Sequence, residues 1–93
     1  HGVKFFLAVF TPHFLERMSQ RSDLTIEDIK GIAAKCWRAS LNKRKCYVEL
    51  GRYFILFQRV WDSRRGTNAL TFITFSLNVH PPKDGIKVLL PRY

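Results

Sequence analysis

Thr11-Pro12-His13-Phe14-Leu15-Glu16-Arg17-Met18-Ser19-Gln20-Arg21-Ser22-Asp23-Leu24-Thr25-Ile26-Glu27-Asp28-Ile29 holds two helix starts in quick succession, and they decide the fold class. Thr11 offers a hydroxyl that can accept the N–H of a residue in the first turn. Pro12 follows at the first helical position, where its missing N–H costs nothing. Phe14, Leu15 and Met18 then fall on one stripe, while His13, Arg17 and Arg21 fall four apart on a neighbouring one. Ser22-Asp23 interrupts the pattern. Thr25 restarts it with Asp28 three residues on, and Leu24 and Ile29 stand where a hydrophobic staple would close the entry. The second helix carries its apolar residues at Ile26, Ile29, Ile32, Ala33, Cys36 and Trp37.

Outward from this pair the chain changes character. Upstream, Val3 to Phe10 is short and rich in β-formers, which reads as a first strand or an extended lead-in. Downstream of Trp37, Arg38 to Lys45 is a polar, basic connection. Cys46 to Leu50 and Tyr53 to Val60 then flank Gly51-Arg52, a two-residue turn of the Gly-X kind. A longer turn, Arg64 to Asn68, leads into a strand from Ala69 to Val79, in which Ile73, Phe75, Leu77 and Val79 alternate with Thr74, Ser76 and Asn78. After Pro81-Pro82-Lys83-Asp84-Gly85, Ile86 to Leu90 is a last short strand. The expectation is a single α+β domain over residues 1–93, two N-terminal helices packed on an antiparallel sheet of about four strands.

Sixteen Lys and Arg against seven Asp and Glu give a net charge of +9. Such a balance attracts polyanions: RNA, DNA, an acidic membrane surface or an acidic partner protein. No apolar run approaches the roughly 20 residues of a membrane span, and Val3 to Phe10 is interrupted by Lys4. Cys36 and Cys46 lack C-x-x-C or nearby His spacing, so neither a metal nor a cofactor is expected. Two buried free thiols are the expectation, with a disulfide the alternative.

His13, Arg17 and Arg21 along one helical line are parts from which metal-free RNA cleavage can be built. A base takes the proton of a ribose 2′-OH, a cation steadies the phosphorane, and an acid protonates the leaving 5′ oxygen. Imidazole titrates near neutrality, and guanidinium matches phosphate with a planar fork. The same residues could equally be a solvated basic face. Of the other histidines, His1 is expected to be unstructured, and His80 is a second acid or base or simply a turn residue. Lys35, Arg38, Lys43, Arg44, Lys45 and Arg59, with Arg52, Arg64 and Arg65, form a second basic set suited to the RNA backbone. Tyr47, Tyr53, Trp61 and Phe72 could stack on unpaired bases. Thr74, Ser76 and Asn78 share the polar side of one strand, where a hydroxyl could meet a phosphate.

The H-x-x-x-R-x-x-x-R run from His13 to Arg21, followed by Leu24 to Ile29, resembles the barnase, EndoU, colicin and RelE superfamily of small ribonucleases, and within it the RegB-like group. The resemblance implies that His13 is the catalytic histidine, Arg17 the phosphate-binding arginine and Arg21 its supporter. Where RegB-like enzymes carry a second functional His, this chain reads Ala33-Ala34-Lys35, so Lys35, Thr74 or His80 would complete the acid–base pair. It further implies cleavage of tRNA or mRNA to a 2′,3′-cyclic phosphate, and an acidic immunity protein or antitoxin as partner. A start without Met, together with the charge, suggests the excised C-terminal toxin domain of a larger bacterial effector, such as a contact-dependent inhibition toxin, acting in the bacterial cytoplasm. The alternative is a non-catalytic RNA-binding module or a partner-binding regulator.

Overall fold

The computed structural model describes residues 6–77 and 85–88. In chain order the elements are β1 (Leu7–Phe10), α1 (Pro12–Arg21), α2 (Ile26–Ala39), a 3-10 turn (Ser40–Asn42), β2 (Cys46–Leu50), β3 (Tyr53–Asp62), β4 (Thr67–Leu77) and β5 (Ile86–Val88). The class is α+β, as the patterning implies. The sheet is different: five strands in the order β1-β4-β3-β2-β5, with β2, β3 and β4 an antiparallel meander and both edge strands running parallel to their neighbours. The expected antiparallel sheet of about four strands is therefore corrected to a mixed one of five. β1 also precedes the helices, so the pair is a crossover from one edge of the sheet to β2 and not an N-terminal unit. Periodicity reveals that a segment is a strand; it carries no information on which distant strand it pairs with.

The helices form where their local chemistry puts them. Thr11 Oγ1 accepts the Phe14 N–H at 3.2 Å, and Pro12 occupies the first turn. Asp28 Oδ2 accepts from the Thr25 N–H at 2.8 Å and from its hydroxyl at 3.1 Å. The second helix runs past Trp37 to Ala39 before tightening into the 3-10 turn. Gly51 adopts φ +60°, the left-handed conformation a two-residue Gly-X hairpin needs, and Leu50 pairs with Tyr53 across it.

Both helices cover one face of the sheet. Phe14, Met18, Ile29 and Cys36 meet Cys46, Val48, Ile55, Phe57, Leu70, Phe72 and Phe75 in the core. Phe14 packs its ring against Phe72 at 5.7 Å and edge-on against Phe75 at 5.9 Å, which seats α1 over β4. Phe72 and Phe75 share the core face although an odd and an even number cannot do so in a regular strand. The register explains it: Leu56 pairs with Thr74 but Phe57 with Phe72, leaving Ile73 as the extra residue of a bulge. The expected unbroken alternation of Ile73, Phe75 and Leu77 is thus corrected, with Leu70 and Phe72 facing the core on the other side of the bulge. The Ile73 carbonyl accepts the Thr11 hydroxyl at 3.2 Å, and the Thr11 N–H donates to the Phe72 carbonyl at 3.3 Å. The bulge and the α1 cap are one structure.

Candidate functional site

Thr11 turns the chain from the edge strand into α1, so the first residues of that helix stand at the rim of the sheet. His13 is exposed there, and Arg17 and Arg21 follow at one-turn intervals, both half-buried. Phe14 and Met18, buried at 0% and 4%, hold the neighbouring stripe of the helix against the sheet, which sets the basic line along the border of the packed side. The backbone carbonyl of Arg21 accepts the Tyr53 hydroxyl, and the Tyr53 ring stacks on Phe75 at 4.8 Å, so the far end of α1 is tied to the sheet as well. Among the described residues, the ion pairs are Lys30 with Glu27, Arg65 with Asp62 and Lys87 with Glu49. Arg17 and Arg21 belong to none of them. Their guanidinium groups remain open to an anion; His13 stands at the positive end of this ten-residue helix and Arg21 in its last turn.

The remaining candidates are scattered. Phe75 faces the helices, so the alternation of β4 turns Thr74 and Ser76 to the uncovered face, with the sheet between Thr74 and His13. Lys35 is half-buried on α2, and Arg38, Lys43, Arg44 and Lys45 are exposed at its end and in the loop that follows. His80 and Asn78 lie outside the described residues. Among those described, no three His, Cys, Asp or Glu side chains gather in an arrangement that could hold a metal ion, and no helix is long and apolar enough to cross a membrane. Cys36 and Cys46 are both free and buried. Burial and the neighbouring Cys46 push the Cys36 thiol up to about 12, and burial raises Cys46 too, so neither is a thiolate at neutral pH.

Arg59 differs from every other cation in the expected RNA-binding set. Only 9% exposed, its guanidinium lies 3.5 Å over the Trp37 ring, donates to the Trp37 carbonyl and reaches Ser40 Oγ at 3.2 Å. Ser40 in turn donates to the same carbonyl at 2.7 Å. The group satisfies the end of α2, where helix carbonyls lack intrahelical donors, and its charge suits the negative pole of the helix. Its placement was readable: Arg59 shares the parity of Ile55 and Phe57, the core-facing side of β3.

A concave feature that no sequence pattern announces lies at the end of β3. Val9, Val60, Trp61, Asp62, Arg64 and Thr71 are among the residues lining a shallow groove of about 280 Å³. Val9 comes from β1, Thr71 from β4, and the rest from the end of β3 and its turn. Of the four aromatic stacking candidates, Phe72 is fully buried, Tyr47 is buried and Tyr53 is engaged with Arg21 and Phe75. Trp61 alone is largely exposed, at 59%. Compared with protein-family models, curated proteins and solved structures, the chain matches none.

Proposed function

We propose that this chain is a metal-independent endoribonuclease domain of the RelE-like kind, with α1 as its working surface. The observation that carries the reading is an exposed imidazole in the first turn of a capped helix, with two guanidinium groups one and two turns on that pair with no carboxylate among the described residues. A line of this composition matches a phosphodiester chemically. Neutral His13 takes the proton of the 2′-OH, the 2′ oxygen bonds to phosphorus, the bond to the 5′ oxygen breaks, and a 2′,3′-cyclic phosphate remains. In the alternative assignment His13 is the acid and returns a proton to that 5′ oxygen. Arg17, seconded by Arg21, offsets the charge on the phosphorane. Lys35 and His80 are the candidates that remain for the second proton-transfer post, because Thr74 is turned to the other face of the sheet. The α+β layering supports the RelE-like assignment; the leading β1 and the parallel edges depart from the arrangement the resemblance implies. On this reading tRNA or mRNA is the substrate, the bacterial cytoplasm the place of action, and an acidic immunity protein or antitoxin the partner that masks the basic surface.

Incubating the purified chain with total RNA in EDTA tests the chemistry. Cleavage to cyclic-phosphate ends is expected; RNA left intact until a divalent metal is added overturns the mechanism. His13→Ala should lower the rate by about 100- to 10,000-fold, the usual range for an acid–base group, while leaving the fold unchanged, since the side chain is exposed. Salt-dependent RNA binding by the wild-type chain with no cleavage product would favour the binding-module reading instead.

A further inference from the structure

The groove beside Trp61 has no part in the chemistry assigned to α1, yet it has the composition of a ligand site. We propose that it is a stacking subsite for one unpaired RNA base; this rests on the RNA reading above and adds the substrate class, single-stranded RNA. Trp61 is 59% exposed and Val60 42%, consecutive residues on a domain that fully buries Phe14, Phe57, Phe72 and Phe75. No aromatic ring of the described residues lies on the indole. An indole with no ring on its face, at the edge of a groove lined also by Val9 and Val60, is the kind of platform on which single-strand binders stack bases. The groove falls just short of the roughly 300 Å³ at which enclosed small-molecule pockets begin, so it suits one flat group open to solvent.

Electrostatics favour the nucleotide. Asp62 is the acid in the lining, and its carboxylate is engaged by the turn that follows it: Oδ1 accepts the Arg64 and Arg65 N–H groups at 2.9 and 3.3 Å, and Oδ2 the Arg65 guanidinium at 2.9 Å. Those contacts hold it below the usual carboxylate range and leave little negative potential facing the groove. Arg64 is exposed and has no carboxylate partner among the described residues, so it is free for phosphate. The register sets the groove apart from the α1 line: Val60 and Trp61 pair with Ala69 and Asn68, whereas Thr11, which caps α1, bonds to Phe72 and Ile73 further along β4. A duplex keeps its bases stacked on each other; only an unpaired base can enter.

The test uses a fluorescein-labelled eight-nucleotide 2′-O-methyl oligouridylate, which has no 2′ nucleophile, and the same oligomer in a duplex. Fluorescence anisotropy would follow wild type, Trp61→Ala, Trp61→Phe, Arg64→Ala and Arg17→Ala. Trp61→Ala should weaken single-strand binding roughly ten-fold or more, as loss of one stack does. Trp61→Phe should keep most of it, duplex binding should not change, and Arg64→Ala should reduce the salt slope by about one. In cleavage assays Trp61→Ala should raise KM and leave kcat. Single-strand binding unchanged in Trp61→Ala but lost in Arg17→Ala overturns the subsite while the RNA reading stands. No binding of either oligomer by wild type overturns both. Unchanged RNA binding with weakened binding of a polyglutamate probe makes the groove a protein-docking surface and overturns the proposal.

Discussion

Arg59 and Arg64 belong to the same β3–β4 hairpin, yet one is folded into the molecule and the other faces out of it. Arg59 sits on the core-facing side of β3 with its donors on the end of α2 and its plane over Trp37. Arg64, past the end of the strand, has only its backbone engaged. Arg17 and Arg21 on α1 resemble Arg64. Net charge of +9 therefore mixes two kinds of cation, and only those directed outward can meet a polyanion. A guanidinium's partners, not its sign, separate architecture from function.

The comparison yields an ordered set of measurements. Phe57→Ala or Phe72→Ala, each emptying a fully buried ring position, should cost about 3–5 kcal/mol in urea denaturation and unfold a large share of the protein. Arg59→Ala should come next, at about 2–3 kcal/mol, from lost hydrogen bonds and cation–π contact. Lys at 59 should restore only part, lacking the planar fork. If Arg59→Ala costs no more than Arg64→Ala, the contrast drawn above is wrong.

Cys36 supplies a smaller effect with a defined sign. Its thiol ionises near 12 in the fold against an ordinary value of 9.0, so above pH 9 the unfolded chain loses a proton that the folded chain keeps. The stability this group contributes is intact below pH 9 and is lost as pH rises toward 12, by up to about 1.4 kcal/mol per unit. Urea melts at pH 8 and 10.5 should separate wild type from Cys36→Ala by that slope; parallel behaviour would mean that the thiol is not shielded. Smallest of all, Arg17→Ala and Arg64→Ala should change stability by less than about 0.5 kcal/mol, so any loss of RNA binding in them can be read as function.

Legibility followed the range of the interactions. Thr11-Pro12, the Thr25–Asp28 box and Gly51-Arg52 each act within a few residues, and all three are found where the sequence indicates. The line of His13, Arg17 and Arg21 was equally local, because Phe14 and Met18 pack the neighbouring stripe of the same helix. What stayed hidden is non-local. The partners of β1 and β5, and so their parallel sense, depend on strands far along the chain. The bulge at Ile73 is a register slip between β3 and β4 that brings Leu70 and Phe72 inward, and no composition announces it. Trp61 could not be distinguished from Tyr47, Tyr53 and Phe72, because exposure at the end of a strand depends on where the covering helices stop.

The Thr11 contacts to β4 also set an order of events in time. The hairpins from β2 to β4 close over short turns, whereas Thr11 and Ile73 are separated by 62 positions. Closing so long a loop costs entropy that is recovered only when β1 docks. The meander is thus expected to organise first and the β1–α1 corner last, which amide exchange would register as weaker protection at Val9 than at Ile55. His13 would then acquire its position only in the finished fold, so a nascent or partly unfolded chain would be an inactive one.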